Sequence, residues 1–197
     1  MHETSNEFAP ASQGELQRFV QENAAGERRA LYPVGGRTSL NFGRAATRPG
    51  TLISMAKLTQ TVDYPVRDMT ITLEAGVRMD ELAAQLREQG QQLPLDVAQS
   101  NRATLGGVVA TNAAGPRRYG LGTMRDYIIG VTAVDGAGRL FHAGGRVVKN
   151  VAGYDLCKLM VGSLGTLAII TQLTLKLKPL PEDRKSTRLN SSHTSIS

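Results

Sequence analysis

Apolar positions along the chain follow two periodicities, and the places where one gives way to the other mark out its elements. Leu16, Phe19 and Val20 recur at helical intervals behind Ser12 and Glu15, a pair spaced as a capping box, so a helix is expected from about Gln13 to Ala24. Ala30 to Val34 and Thr51 to Met55 read as short buried strands, separated by a polar stretch that opens with Gly35 and Gly36. Met69, Ile71 and Leu73 alternate with Thr70, Thr72 and Glu74, the pattern of a half-buried strand ending at Gly76. Met79, Leu82, Ala83 and Leu86 then form a helical stripe, which Gly90 closes by taking a left-handed conformation.

From Leu95 to Thr123 small residues and turn formers dominate, and few side chains there are large enough to build a core. Ile128 to Val134 and Arg139 to Ala143 flank Asp135-Gly136-Ala137-Gly138, a composition that makes them an antiparallel hairpin. The longest period of two comes late. Leu167, Ile169, Thr171, Leu173, Leu175 and Leu177 alternate with more polar neighbours until Pro179 stops the strand. Beyond Pro181 almost nothing is apolar, so residues 182–197 are expected to stay disordered, and Arg184 to Ser197 reads as adaptor-derived rather than native sequence.

Composition narrows the function. A chain of 197 residues with 41% hydrophobic and 20% charged residues is the size of one globular domain or two small lobes sharing a core. No Trp and 5% aromatics argue against an aromatic stacking surface, while 21 Gly and 8 Pro argue for many turns. The net charge of +6 is spread singly or gathered at Arg184, Lys185 and Arg188, which speaks against nucleic acid as a partner. Cys157 stands alone, so neither an internal disulfide nor a zinc or iron–sulfur cluster is expected, and a reducing, cytoplasmic setting fits. No stretch approaches the roughly 20 apolar residues of a membrane span.

The glycines gather where chemistry is expected. Tyr32-Pro33-Val34-Gly35-Gly36-Arg37-Thr38-Ser39-Leu40 sets two glycines and two hydroxyls directly after a strand; Pro94 to Gly122 carries Thr104-Leu105-Gly106-Gly107 and Thr111-Asn112-Ala113-Ala114-Gly115; Lys149 to Leu156 and Gly162-Ser163-Leu164-Gly165-Thr166-Leu167 follow. Backbone amides bared by glycine suit a diphosphate-bearing cofactor, although each segment alone also fits a tight turn or a helix packed closely on a sheet. Neither Gly120-Leu121-Gly122 nor Gly136-Ala137-Gly138 is completed to the Gly-x-Gly-x-x-Gly of a Rossmann site, and no Gly-Lys precedes Ser or Thr as in a phosphate loop of nucleotide hydrolases.

In this order and spacing the segments resemble the FAD-binding family typified by vanillyl alcohol oxidase and the D-lactate and glycolate oxidases, over about Leu31 to Pro181. Val147-Val148-Lys149-Asn150-Val151-Ala152-Gly153-Tyr154-Asp155-Leu156 is most similar to the FAD-binding subunits of bacterial glycolate oxidases. The resemblance implies an α+β, two-lobed FAD-binding domain over residues 1–181, with lobes at about 12–96 and 97–181 and the C-terminal cap domain missing. It places Gly35, Gly36, Arg37, Thr38 and Ser39 at the pyrophosphate, and Gly106, Gly107, Ala110, Thr111, Asn112 and Gly115 along the ribityl and flavin portion. Gly162, Gly165, Thr166 and Ile169 would flank the adenine half.

The flavin is expected to be non-covalent, because His2, His142 and His193 all lie outside the first loop and the central segment. By the same resemblance the function is glycolate oxidation to glyoxylate in a complex with the main flavin subunit and an iron–sulfur subunit, peripheral at the inner membrane, and weak in the chain alone. Self-sufficient D-2-hydroxyacid dehydrogenases and non-catalytic flavin modules are the alternatives. Cys157 reads as a packed thiol, Arg118 and Arg125 as surface residues before substrate ligands, and a Gly36→Asp change as one that removes FAD while sparing the fold.

Overall fold

A computed structural model of the protein describes residues 6–145 and 154–181. Tail residues 182–197, the Lys149 to Gly153 part of the third glycine segment, His2 and His193 lie outside the described residues.

The chain opens with a short strand, β1 (Asn6–Phe8), and helix α1 (Gln13–Ala25). The Ser12 hydroxyl accepts the Glu15 amide at 3.2 Å, as the capping spacing predicts, while the Glu15 carboxylate turns back to the Ala11 amide at 2.7 Å. Strands β2 (Ala30–Val34) and β3 (Gly50–Ser54) follow, and β1, β3 and β2 form a parallel sheet with β3 in the middle. Parallel pairing brings the carboxyl ends of all three strands to one edge. Phe8 stacks on Phe19 with ring centroids 4.1 Å apart, which docks α1 on β1.

Next come β4 (Thr61–Asp63), β5 (Thr70–Glu74), α2 (Met79–Glu88) and β6 (Gln91–Gln92). Met69 takes a left-handed conformation and stands before the strand, so Thr70 rather than Met69 begins it. Leu82 and Leu86 of α2 are buried and Gly90 has the expected positive φ of 64°, but Ala83 is exposed. The stretch of small residues contains α3 (Leu105–Thr111), α4 (Arg118–Leu121) and α5 (Met124–Tyr127), contrary to the expectation of turns with little core. Leu105, Val108 and Val109 are buried at helical spacing, and small neighbours let α3 approach the sheet closely.

Strands β7 (Ile128–Val134) and β8 (Leu140–Gly144) form the expected hairpin, with the Asp135 carboxylate accepting the Ala137 and Arg139 amides at 2.9 Å each. After α6 (Leu156–Met160), strand β9 (Ile169–Lys176) runs to the short β10 (Lys178–Pro179). The five-stranded antiparallel sheet has the order β4-β5-β9-β7-β8. It draws strands from both sides of residue 96.

The main core lies between this sheet and helices α2, α3, α5 and α6, and a smaller core holds Leu16 and Val20 of α1 against Ile53, Val134 and Ile169. β9 serves both because Thr171 is an extra residue, with Gln172 opposite Thr132 and Ile170 opposite Ala133. This bulge resets the alternation. Ile170 therefore joins Leu173 and Leu175 in the main core, while Ile169 enters the smaller one and Leu167 stays largely exposed. The Thr171 hydroxyl donates to the Thr132 carbonyl at 3.1 Å and accepts from the Gln13 amide at 2.5 Å, tying α1 to the bulge.

Candidate functional site

The first glycine loop leaves the carboxyl end of β2 and lies against the strand-like stretch that leads into α3. A β-carbon on Gly35 would stand 2.0 Å from the Thr104 hydroxyl oxygen, and one on Gly36 would stand 1.7 Å from the Arg102 carbonyl oxygen. Both glycines are therefore required by packing within the protein. The expected outcome of Gly36→Asp is corrected on this ground: the contact is with backbone, so the substitution forces the loop off its support as well as adding charge.

The loop's own amides decide what it can hold. The N–H groups of Gly36, Arg37, Thr38 and Ser39 donate to no other described residue. Backbone amides rarely go unpaired away from water, and consecutive unclaimed amides in a tight turn form a concavity for an anion. Arg37 contributes to the turn through its left-handed backbone, with φ of 56°, and its guanidinium reaches the Glu7 carboxylate at 2.7 Å. By contrast, the first-turn amides of α3 are already engaged: Leu105 donates to Val77, Gly106 to Ala75, and Gly107 to the Thr104 hydroxyl. Among the described residues, the first loop has amides left over and these three amides of α3 are taken.

The last glycine segment closes against the same region. Gly162 donates to the Val109 carbonyl at 3.0 Å and Leu164 to the Ala110 carbonyl at 2.8 Å, so Gly162 to Thr166 runs along the C-terminal half of α3. Gly165, with φ of 73°, sits where a β-carbon would stand 2.5 Å from the Pro33 ring, next to the first loop. Segments separated by more than a hundred residues of sequence thus meet around α3: Gly35 and Gly36 lie against residues 102–104 at its start, Gly162 and Leu164 bond along its C-terminal half, and Gly165 lies against Pro33.

Individual positions differ in what they do there. Thr38 and Ser39 are half-buried, and Gly107, Ala110, Thr111 and Asn112 are at least partly accessible along α3. The Thr111 hydroxyl donates to the Gly107 carbonyl at 2.8 Å, and Asn112 ends the helix with φ of 49°. The Thr166 hydroxyl donates to the Ser163 carbonyl at 2.7 Å. Gly106 faces Ala75, Gly115 faces Asp96 in the loop before α3, and the Ile169 side chain is in the smaller core. At these three the side-chain direction packs on the scaffold, which leaves only their backbone to face a ligand.

Two residues that sequence reasoning passed over stand out. Thr104 is buried, caps α3 and backs Gly35; its signal was its place three residues before Gly107, ahead of Leu105, Val108 and Val109. Glu7 has no local signal, because its partner Arg37 lies 30 residues away.

The other candidates are structural. Arg125 donates to the Lys158 carbonyl at 3.1 Å, and the Arg118 guanidinium lies 5.4 Å from the centre of the Tyr119 ring. The Cys157 thiol donates to the Ala143 carbonyl, and burial followed by the Asp155 charge pushes its pKa up, which suits an inert packed thiol. His142 is on the exposed edge strand β8, bonded to Thr132. Among the described residues no helix is long and apolar enough to cross a membrane.

Residues 6–144 match the FAD binding domain family. The chain is 36% identical over 178 residues to glycolate oxidase subunit GlcE of Escherichia coli (strain K12), covering 90% of this chain and 50% of that protein. It is 37% identical over 172 residues to a D-2-hydroxyglutarate dehydrogenase of Xanthomonas citri pv. viticola, covering 87% of this chain and 36% of that protein. A solved structure of alkyldihydroxyacetonephosphate synthase superposes with a TM-score of 0.75 at 26% identity, covering 89% of this chain and 32% of the synthase. The chain thus spans between about a third and a half of the length of these three proteins.

Proposed function

The chain belongs to the FAD-binding domain family, and from that premise we propose that it is the FAD-holding part of a 2-hydroxyacid oxidoreductase, a FAD-binding subunit of a glycolate oxidase complex that oxidises glycolate to glyoxylate. The observation that carries the reading is the row of amides from Gly36 to Ser39 that donate to no other described residue, in a loop whose glycines pack on residues 102–104 ahead of α3. A diphosphate needs several donors, and this loop offers four consecutive amides. Gly107, Ala110, Thr111 and Asn112 then border the ribityl and flavin portion, and Gly162, Gly165 and Thr166 the adenine half. Bound FAD supplies the two-electron acceptor. The chain's part is to fix the cofactor's position against a substrate carbon, since hydride transfer depends on orientation.

The domain is taken as residues 1–181. GlcE and the dehydrogenase both carry a 2-hydroxyacid in their names, which supports that substrate class. The dehydrogenase likeness favours a second reading, a D-2-hydroxyacid dehydrogenase acting without separate subunits. In the first reading a main flavin subunit and an iron–sulfur subunit complete the complex, which sits at the inner membrane by association.

Absorption spectra taken before and after acid precipitation test the cofactor and its attachment: flavin in the supernatant supports non-covalent binding, and a colourless protein that takes up no FAD overturns the reading. Turnover of glycolate, D-lactate and D-2-hydroxyglutarate with an artificial acceptor, with and without the co-expressed partner subunits, separates the two readings.

A further inference from the structure

The carboxyl edge of the parallel sheet holds a group of polar side chains that no part of the proposed cofactor reading uses. Glu7 lies in β1, Ser54 ends β3, and Arg37 lies just beyond β2, so the three stand at neighbouring strand ends with β3 between the other two. Ligand sites of open parallel sheets form outside such ends. The Arg37 guanidinium crosses the end of β3 to reach Glu7 at 2.7 Å. Its backbone is left-handed, a conformation that a residue with a long side chain rarely adopts unless its surroundings impose it. The Arg37 hydrogen bond, and then its charge, holds the Glu7 carboxyl below the usual carboxylate range, with the Ser54 hydroxyl adding to this.

We propose that Glu7 is a positioning residue for cofactor binding: by clasping the Arg37 side chain across the end of β3, it fixes the left-handed turn that points the amides of Gly36, Arg37, Thr38 and Ser39 at one anion. This rests on the reading of the loop as the diphosphate site. The guanidinium is turned towards β1 and acts as an anchor, and the donors are the amides. Without the clasp the turn visits other conformations, and the ordering cost falls on FAD binding.

The test is FAD titration of apoprotein, followed by quenching of flavin fluorescence, in wild type, Glu7→Ala, Glu7→Asp, Arg37→Gly and the Glu7→Ala/Arg37→Gly double variant. Glu7→Ala should weaken FAD binding about threefold to fivefold, the span that a half-exposed ion pair supports. Glu7→Asp should recover part of the loss. In the Arg37→Gly background, where glycine takes the left-handed turn without an anchor, Glu7→Ala should change nothing. Hydrogen exchange of the amides from Gly36 to Ser39 in the apoprotein should speed up in Glu7→Ala while the β7–β9 ladder keeps its protection. Unchanged affinity in Glu7→Ala, or an equal loss in both backgrounds, would overturn the inference. Wild-type protein that binds no FAD would instead overturn the reading of the loop.

Discussion

At the scale of single residues, the loop after β2 separates two jobs that one glycine-rich motif suggests together. Gly35 and Gly36 are small because Thr104 and Arg102 occupy the space behind them, whereas the outward work belongs to the amides of Gly36 to Ser39. A charge placed on the loop should therefore be introduced at a position that already carries a side chain. Thr38 is half-buried, and its hydroxyl makes no hydrogen bond to another described residue. Thr38→Asp is expected to weaken FAD binding roughly tenfold or more, since a carboxylate close to a dianionic diphosphate is repelled even at a partly solvated site. Its apoprotein should melt near the wild-type temperature. Gly36→Asp, in contrast, should lower the melting temperature of the apoprotein as well, and calorimetry on both variants checks the distinction.

At the scale of elements, most regular strands and the longer helices were legible in sequence, because β2, β3, β5, β7, α1 and α2 each carry a clean period bounded by Gly, Pro or a cap. α3 was not legible. Its run of Gly, Ala and Val looks like loop material, and the helix exists because Leu105, Val108 and Val109 are buried under tertiary packing while Thr104 caps it. β9 was read correctly as a strand but with the wrong continuous alternation, since the bulge at Thr171 depends on what lies opposite, in β7. Of the site, the glycine segments were visible, but Glu7 and the packing roles of Gly106, Gly115 and Ile169 were not, because each depends on contacts distant in sequence.

Thr104→Val keeps the volume and deletes the cap, so it should cost about 1 kcal/mol, a drop of roughly 2–4 °C in melting temperature, and loosen Gly35. Thr104→Ser should stay near wild type. Parallel melts of the two variants measure the cap against the bulk of the side chain. A similar economy holds at α5, where the Thr123 amide holds the Asp126 carboxyl below its usual range. The sign follows from the depressed folded value: the contribution is fully present above about pH 4 and is lost as pH falls through the folded pKa. Melting temperature should therefore fall between pH 4 and pH 3, and less steeply in Asp126→Asn than in wild type.

At the scale of the molecule, Gly165 meets Pro33 while Gly162 and Leu164 bond along α3, so in the proposed reading cofactor binding and folding are thermodynamically linked. Free FAD at about a hundred times its dissociation constant should stabilise the folded chain by about 2.7 kcal/mol, which for a domain of this size raises the melting temperature by roughly 5–10 °C. Differential scanning fluorimetry at increasing FAD checks this, and a melting temperature indifferent to FAD would mean that the folded chain does not bind it.

The position of β9 carries a consequence for how the chain comes to exist. It is the middle strand of the five-stranded sheet, lying between β5 and β7, yet it is made after all four of its sheet-mates. On the ribosome, β5 and β7 must wait with unpaired N–H and C=O edges and uncovered apolar side chains until the last segment threads into place, and only then does Gly165 reach Pro33. Nascent chains stalled before β9 should stick to one another or to chaperones, and no flavin can be captured until synthesis of this domain is nearly done.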